Sequence, residues 1–300
     1  MTRRLDSKLC IFCPTQSSRN GEHVWPQWFL RTLTSGDGQF TTWVDQEPIR
    51  DREDRPRTQT SLHRVKVPMC DGAGGRSCGC NGDLNRRFEE PTKPLIRQLI
   101  TNDGNATFNG QQATVVALWL LKTWLLLAHP SAEDSRNNIP ALQSLRWTAA
   151  PDNVWRWMVT DALPPPGLSM WCHKRSALPT DQTATRQVPL PTIVVDDREV
   201  EFRSIRASIS FLDVSVVYHP DWAIDHPLER EGRALRLWPR DSDQPADFTS
   251  LRPVDTRDMN WFKGPRLVFL PGSFPSSDLP PLSDSLNGLM RPPVQALDIK

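Results

Sequence analysis

The 300-residue sequence predicts an α+β protein on three observations. Cysteines gather between positions 10 and 80 with metal-ligand spacing. An apolar run at 115–128 has the length of a buried helix. After the PPPG at 164–167 the chain turns to alternating, β-branched segments. With 38% hydrophobic and 24% charged residues, a chain of this length buries a core and divides into more than one unit. We read 1–100 as a cysteine-bearing domain, 101–166 as a helical segment packing on it, 167–270 as a β-rich C-terminal domain, and 271–300 as a loosely ordered Pro/Ser/Asp-rich tail.

Each element follows from local pattern. The polar, turn-rich stretch 34–64, with its charge cluster RDREDRPR, reads as a solvated loop or hairpin. HRVKVPMC alternates like a short strand leading into Cys70. NGDLNRRFEEPTKPLIRQLI is helical, and Pro91 and Pro94 are expected to cut it in two. GQQATVVALWLLKTWLLLAHP gives the strongest helical pattern and ends at His129-Pro130. Its apolar run is interrupted by Lys122 and reads as too short to cross a bilayer. Weaker helices are expected over 139–146 and 152–162, with Trp119, Trp124, Trp147, Trp155 and Trp157 as core packing. Past the prolines, LSMWC, PTIVVDD, EVEFRSIRASISFLDVSVVYH and RALRLWP predict strands and hairpins.

A net charge of +1 gives no global basic field, so a polyanionic partner would have to be held by a local patch. Only seven of the 36 basic residues are lysines, a bias toward arginine that suits phosphate recognition and equally follows from genome composition. The start MTRRLDSKLC lacks the apolar stretch of a secretory signal, which leads us to expect a cytoplasmic protein with no membrane partner. In that reducing compartment, paired cysteines are metal ligands or redox centres more often than bridges.

Cys10 and Cys13 form a CxxC, in which two thiolates on a tight turn share one metal ion. A tetrahedral zinc needs two more ligands, and Cys70, Cys78 and Cys80 compete for those places. We favour Cys70 and Cys80, because the Gly-rich segment between them reads as an insertion that leaves a strand end and a helix start in place. Cys78 is then a spare thiol or an alternate ligand. Glu22 directly precedes His23, which lies ten residues after Cys13. Such a carboxylate suits a hard divalent cation such as Mg²⁺ or Mn²⁺, and a neighbouring imidazole can take a proton from an attacking water. Asn81, beside Cys80, and Asn85, on the same helical face, are candidates to complete the metal's ligands. This is a layout for one-metal phosphodiester cleavage.

CIFCPTQSSRNGEHVWPQW followed by CGCNGDLNRRFE resembles the HNH endonuclease superfamily. The likeness is to its zinc-stapled version, with CxxC, then Asp/Glu-His, then Cys-His/Asn, and to bacterial HNH-like proteins carrying Glu-His-Val-x-Pro-x-Trp. It covers about residues 8 to 90. The resemblance implies a zinc-stapled ββα-metal finger, with His23 as general base, Glu22 as metal carboxylate, Asn81 at the third signature position and Asn85 as a further ligand. It implies hydrolysis of a DNA backbone, ahead of RNA, with a divalent cation stabilising charge on the phosphate. One departure stands out: no Asn occurs between Glu22 and Cys80 to orient the base. His63 lies at about the right distance to substitute, and equally reads as an ordinary strand histidine. Arg86 and Arg87 are natural phosphate contacts. The remaining two thirds would then supply substrate grip, self-association into a homo-oligomer, or target sensing. Two other readings compete. In one, a zinc-scaffolded module binds nucleic acid or protein without catalysis; in the other, a redox protein uses Cys10 and Cys13.

Overall fold

The computed structural model describes residues 9–15, 17–18, 21–33, 42–44, 47–48, 65–71, 79–134, 146–147, 150–175, 183–186, 193–195, 198–200, 203–209, 212–219, 226–241, 243–254 and 267–269. His63, Cys78, all but the last residue of the helix expected over 139–146, and the tail 271–300 lie outside them. Helix and sheet are mixed, as the α+β reading expects.

The chain opens with β1 (Glu22–His23) and α1 (Gln27–Leu33). The expected hairpin within 34–64 is present as β2 (Thr42–Val44) and β3 (Glu47–Pro48), paired antiparallel. β4 (Val65–Val67) returns antiparallel to β1 with Glu22 opposite Val67 and His23 opposite Lys66. Gly21 sets this approach. Its φ is +60°, and a Cβ there would lie 2.9 Å from the Val67 carbonyl oxygen, so only glycine turns the chain into β1 at this spacing.

From Cys80 the backbone is continuously helical: α2 (Cys80–Leu84), a π-turn (Asn85–Glu89) and α3 (Glu90–Thr101). The prolines expected to cut this segment do not break it. Pro91 falls in the first turn of α3, just after the π-turn has widened the hydrogen-bond register, and Pro94 is carried inside α3.

Next come β5 (Thr107–Phe108) and the central helix α4 (Gly110–Ala128). Asn109 caps α4 reciprocally, accepting from the Gln112 N–H at 2.9 Å while the Gln112 side chain accepts from the Asn109 N–H at 3.1 Å. The helix stops at His129, whose extended backbone (ψ 137°) is what a residue before proline adopts. With 19 residues, α4 exceeds the apolar run read from sequence and is long and apolar enough to cross a membrane; most of it is buried inside this protein.

β6 (Glu133–Asp134) extends the first sheet to the order β1-β4-β6. α5 (Asn153–Arg156) and a 3₁₀ turn (Trp157–Val159) follow. The C-terminal strands are β7 (Leu168–Lys174), β8 (Thr183–Arg186), β9 (Ile193–Val195), β10 (Arg198–Val200), β11 (Arg203–Ile209) and β12 (Leu212–Tyr218). After the short α6 (Pro227–Arg230) come β13 (Leu235–Trp238), β14 (Ala246–Asp247) and β15 (Leu267–Phe269). The largest sheet runs β13-β7-β12-β11-β8-β2-β3. The early hairpin therefore joins the C-terminal sheet, through parallel pairing of β2 with β8.

One hydrophobic core joins these parts. Trp25, Phe29, Trp119, Trp124, Met170, Val214 and Val216 belong to the same buried cluster. Trp25 meets Trp124 edge-on at 5.2 Å, Phe29 meets Trp119 at 5.3 Å, and the Trp124 indole donates to the Val214 carbonyl at 3.3 Å. Helix α4 thus touches the N-terminal motif and the large sheet at once, with aromatic area supplying much of the contact. The sheet's other face is also buried but polar. There His226 lies against Trp171 and His173, and Arg236 stacks over Trp171.

Candidate functional site

Four cysteines come together at the mouth of the β1–β4 hairpin. The loop carrying Cys10 and Cys13 is held by backbone bonds from Ile11 N–H to the Pro68 carbonyl at 3.0 Å and from Ser18 N–H to the Met69 carbonyl at 2.7 Å. Cys70 follows β4, Cys80 opens α2, and the Asn81 N–H donates to the Cys70 carbonyl at 3.1 Å. The sulfurs of Cys10, Cys13, Cys70 and Cys80 all lie within 4.8 Å of one another. Cys13 Sγ is 3.7 Å from Cys70 Sγ and 3.9 Å from Cys80 Sγ. Thiolates at the corners of a tetrahedron around zinc, each ~2.3 Å from it, stand ~3.8 Å apart. The spacing is therefore that of a group able to hold a metal ion such as zinc.

Electrostatics favour a cation here. Burial pushes the Cys80 thiol up, and the neighbouring Cys10 and Cys13 sulfurs add to it. Burial also raises Cys13, yet hydrogen bonds from Thr15, Cys10 and Cys80 outweigh it and leave that thiol lowered. Crowded sulfurs resist ionising together unless a positive ion neutralises them. Cys70 stands in disulfide form in this structure, so its service as a ligand requires reduction. Of the three cysteines that compete in the sequence for two places, Cys70 and Cys80 stand beside the CxxC, and Cys78 lies outside the described residues.

Glu22 and Asn81 also meet. Burial raises the Glu22 carboxyl; the Lys122 ammonium pulls it down, the Glu89 carboxylate pushes it up, and hydrogen bonds from the Asn81 side chain and the His23 backbone N–H lower it. Residues far apart in sequence thus share one contact, because the hairpin and the head of α2 abut through the cysteines. His23 is the next residue on β1 and partly exposed; alternation along a strand aims its side chain to the opposite face from Glu22.

Other candidates have their own partners. The Asn85 amide donates to Glu90 Oε1 at 3.1 Å. Arg86 is largely exposed and pairs with Asp83 at 2.7 Å. Arg87 donates to the carbonyls of Thr160 and Ala162 and lies over the Phe88 ring, tethering the end of the 3₁₀ turn to the helix.

A buried ion pair beside Glu22 escaped the reading of the sequence. Lys122 Nζ lies 2.7 Å from Glu89 Oε1, with side-chain exposures of 2% and 10%. The other Glu89 oxygen accepts from the Trp28 indole at 3.1 Å. The π-turn ends at Glu89. The signal lay in the sequence: a single lysine interrupting an apolar helix requires a buried counter-charge. This contact also accounts for the aromatic fence after Glu22-His23. Val24 and Trp25 are core residues, while Trp28 holds Glu89. In comparisons with family models, curated proteins and solved structures, the chain matches none of them.

Proposed function

We propose that this chain is an HNH-type, metal-dependent endonuclease of cytoplasmic location that hydrolyses DNA phosphodiester bonds, with a structural zinc on Cys10, Cys13, Cys70 and Cys80. The observation that carries the reading is the four-cysteine cluster, with the Asn81 side chain at the head of the adjoining helix bearing on the Glu22 carboxyl. A carboxylate and an amide on different elements offer oxygen ligands to a hard divalent cation once Asn81 turns its amide oxygen toward it in place of the N–H it gives to Glu22. Glu22 and Asn81 would hold Mg²⁺ or Mn²⁺, which supplies charge stabilisation to the phosphate. His23 would accept the proton of the attacking water from its place next to Glu22 on β1. Arg86, exposed on the same helical body, is free of tethering duty to the rest of the fold and suits a phosphate contact.

A second reading has its own support. Burial raises the Glu22 carboxyl, which opposes cation uptake and favours a zinc-scaffolded binding module without catalysis. Plasmid nicking with Mg²⁺ or Mn²⁺ decides between them. The nuclease predicts chelator-sensitive nicking that His23→Ala lowers by at least a hundredfold at unchanged zinc content. Nicking that survives the substitution in full removes His23 as the base, and no nicking in any divalent metal favours the scaffold.

A further inference from the structure

We infer that Cys70 is a redox switch: a thiolate ligand in the metal-holding state, and in the oxidised state the disulfide partner of Cys78, a sulfur outside the metal group. The inference rests on the four-cysteine metal site proposed above and is independent of the nuclease chemistry.

Three observations carry it. Cys70 belongs to the four sulfurs that lie within 4.8 Å of one another, yet it stands in disulfide form while Cys10, Cys13 and Cys80 stand in thiol form. These two uses of one sulfur exclude each other, because a disulfide sulfur offers no thiolate to a metal. Cys172, buried in β7, is also a thiol, so among the six cysteines of the sequence elimination assigns the partner to Cys78. The second observation is access. Cys13 is partly exposed where Cys10, Cys70 and Cys80 are buried, and its Sγ lies 3.7 Å from that of Cys70. A small oxidant therefore meets the group at Cys13, within reach of Cys70. The third is position. The Cys70 carbonyl accepts from the Asn81 N–H at 3.1 Å and its Sγ from the Cys80 N–H at 3.4 Å, so a change at this sulfur acts on the head of α2.

With a peroxide as oxidant the electrons balance. The Cys13 thiolate attacks one peroxide oxygen; the O–O bond breaks, a Cys13 sulfenic acid forms and hydroxide leaves. The Cys70 thiolate attacks the Cys13 sulfur, forming an S–S bond and expelling the second oxygen as hydroxide. Cys78, its thiol proton given up to hydroxide, then attacks the Cys70 sulfur, and Cys13 leaves as a thiolate. Cys70 and Cys78 have together lost two electrons and the peroxide has gained them. Its oxygens end as two waters, with one added proton from Cys78 and one from solvent. Cys13 finishes reduced and Cys70 in a disulfide, the state this structure holds. Three thiolates then remain where four held the metal, and the site binds it more weakly.

The test treats reduced, zinc-loaded full-length protein with hydrogen peroxide, reading zinc release with a colorimetric chelator and disulfides by mass spectrometry after alkylation, for wild type and Cys78→Ser. Wild type is expected to release about one zinc per chain, to carry a Cys70–Cys78 disulfide with Cys10, Cys13 and Cys80 still open to alkylation, and to take zinc back after a thiol reductant. Cys78→Ser is expected to hold zinc as isolated and, under peroxide, to accumulate the Cys13–Cys70 disulfide that Cys78 would have resolved. Zinc retained by wild type under peroxide, or released with a disulfide that lacks Cys70, overturns the inference and leaves the metal site intact. Loss of zinc from untreated Cys78→Ser places Cys78 among the ligands and overturns it as well. Reduced wild type that holds no zinc overturns the metal site and the inference together.

Discussion

Replacing Cys80 by Ser is the most informative perturbation of the cysteine cluster, since Cys80 joins it to the helix that carries Asn81. Without a metal, backbone hydrogen bonds help tie together the loop carrying Cys10 and Cys13, the strand end and the helix start. Among the described residues these include Ile11 to Pro68 and Ser18 to Met69 from the loop to the strand end, and Asn81 to Cys70 from the helix to the strand end. At about 1 kcal/mol net each, the three together contribute about 3 kcal/mol. Structural zinc sites in small fingers contribute about 10–16 kcal/mol at neutral pH, so the metal dominates the local balance. If Cys80→Ser weakens zinc binding a thousandfold, the folded state loses about 4 kcal/mol at fixed free zinc. Spread over a 300-residue unfolding entropy, that lowers Tm by about 6 °C. Protein purified with a reductant is expected to carry one zinc per chain by mass-spectrometric metal analysis. Cys80→Ser should fall well below stoichiometry and show faster hydrogen exchange at Ile11 and Ser18. Cys172→Ser, at a buried thiol in the large sheet, should keep its zinc. Apoprotein oxidised before zinc is offered should take up little, because Cys70 is then unavailable. Full zinc occupancy in Cys80→Ser, or none in reduced wild type, refutes the four-thiolate site.

The remaining predictions concern pH and the two arginines. Burial lowers His129 and His219 to about 4 each, against ~6.5 in the unfolded chain. The unfolded state therefore binds protons that the folded state refuses, and stability falls as pH drops from about 6.5 to about 4. The loss approaches about 3 kcal/mol per histidine, and denaturant titrations across that window should show a shallower fall in His129→Gln. Arg87→Ala removes bonds to the Thr160 and Ala162 carbonyls and should cost about 1–2 kcal/mol of stability. Arg86→Ala, at an exposed ion pair, should alter stability by less than about 0.5 kcal/mol and weaken DNA binding in a salt-dependent way. The opposite pattern in thermal melts and filter binding would reverse the two roles.

Short-range chemistry made much of this protein legible. Spacing picked out Cys10 and Cys13, and reading the Gly-rich segment as an insertion favoured Cys70 and Cys80 over Cys78; these four sulfurs do gather where a metal ion could be held. Alternation and the β-branched runs located β7, β11, β12 and β13. Pro91 misled because propensity registers a missing N–H and not its place in the first turn of α3 just after the π-turn, whereas Pro94 is carried inside the helix. Nor does local pattern hold any trace of β2 pairing with β8 across the chain.

The order of residues by itself marked the candidates: the cysteines, the Glu22-His23 pair and Asn81, together with a lysine set into an apolar helix whose partner it did not name. Only the tertiary structure decided who meets whom. It brought Asn81 to Glu22, sent Arg87 to the carbonyls of Thr160 and Ala162, and gave Lys122 to Glu89 under Trp28. The physical reason is that periodicity reports which side of an element is buried, whereas the partner across the core is chosen by packing among elements distant in the chain.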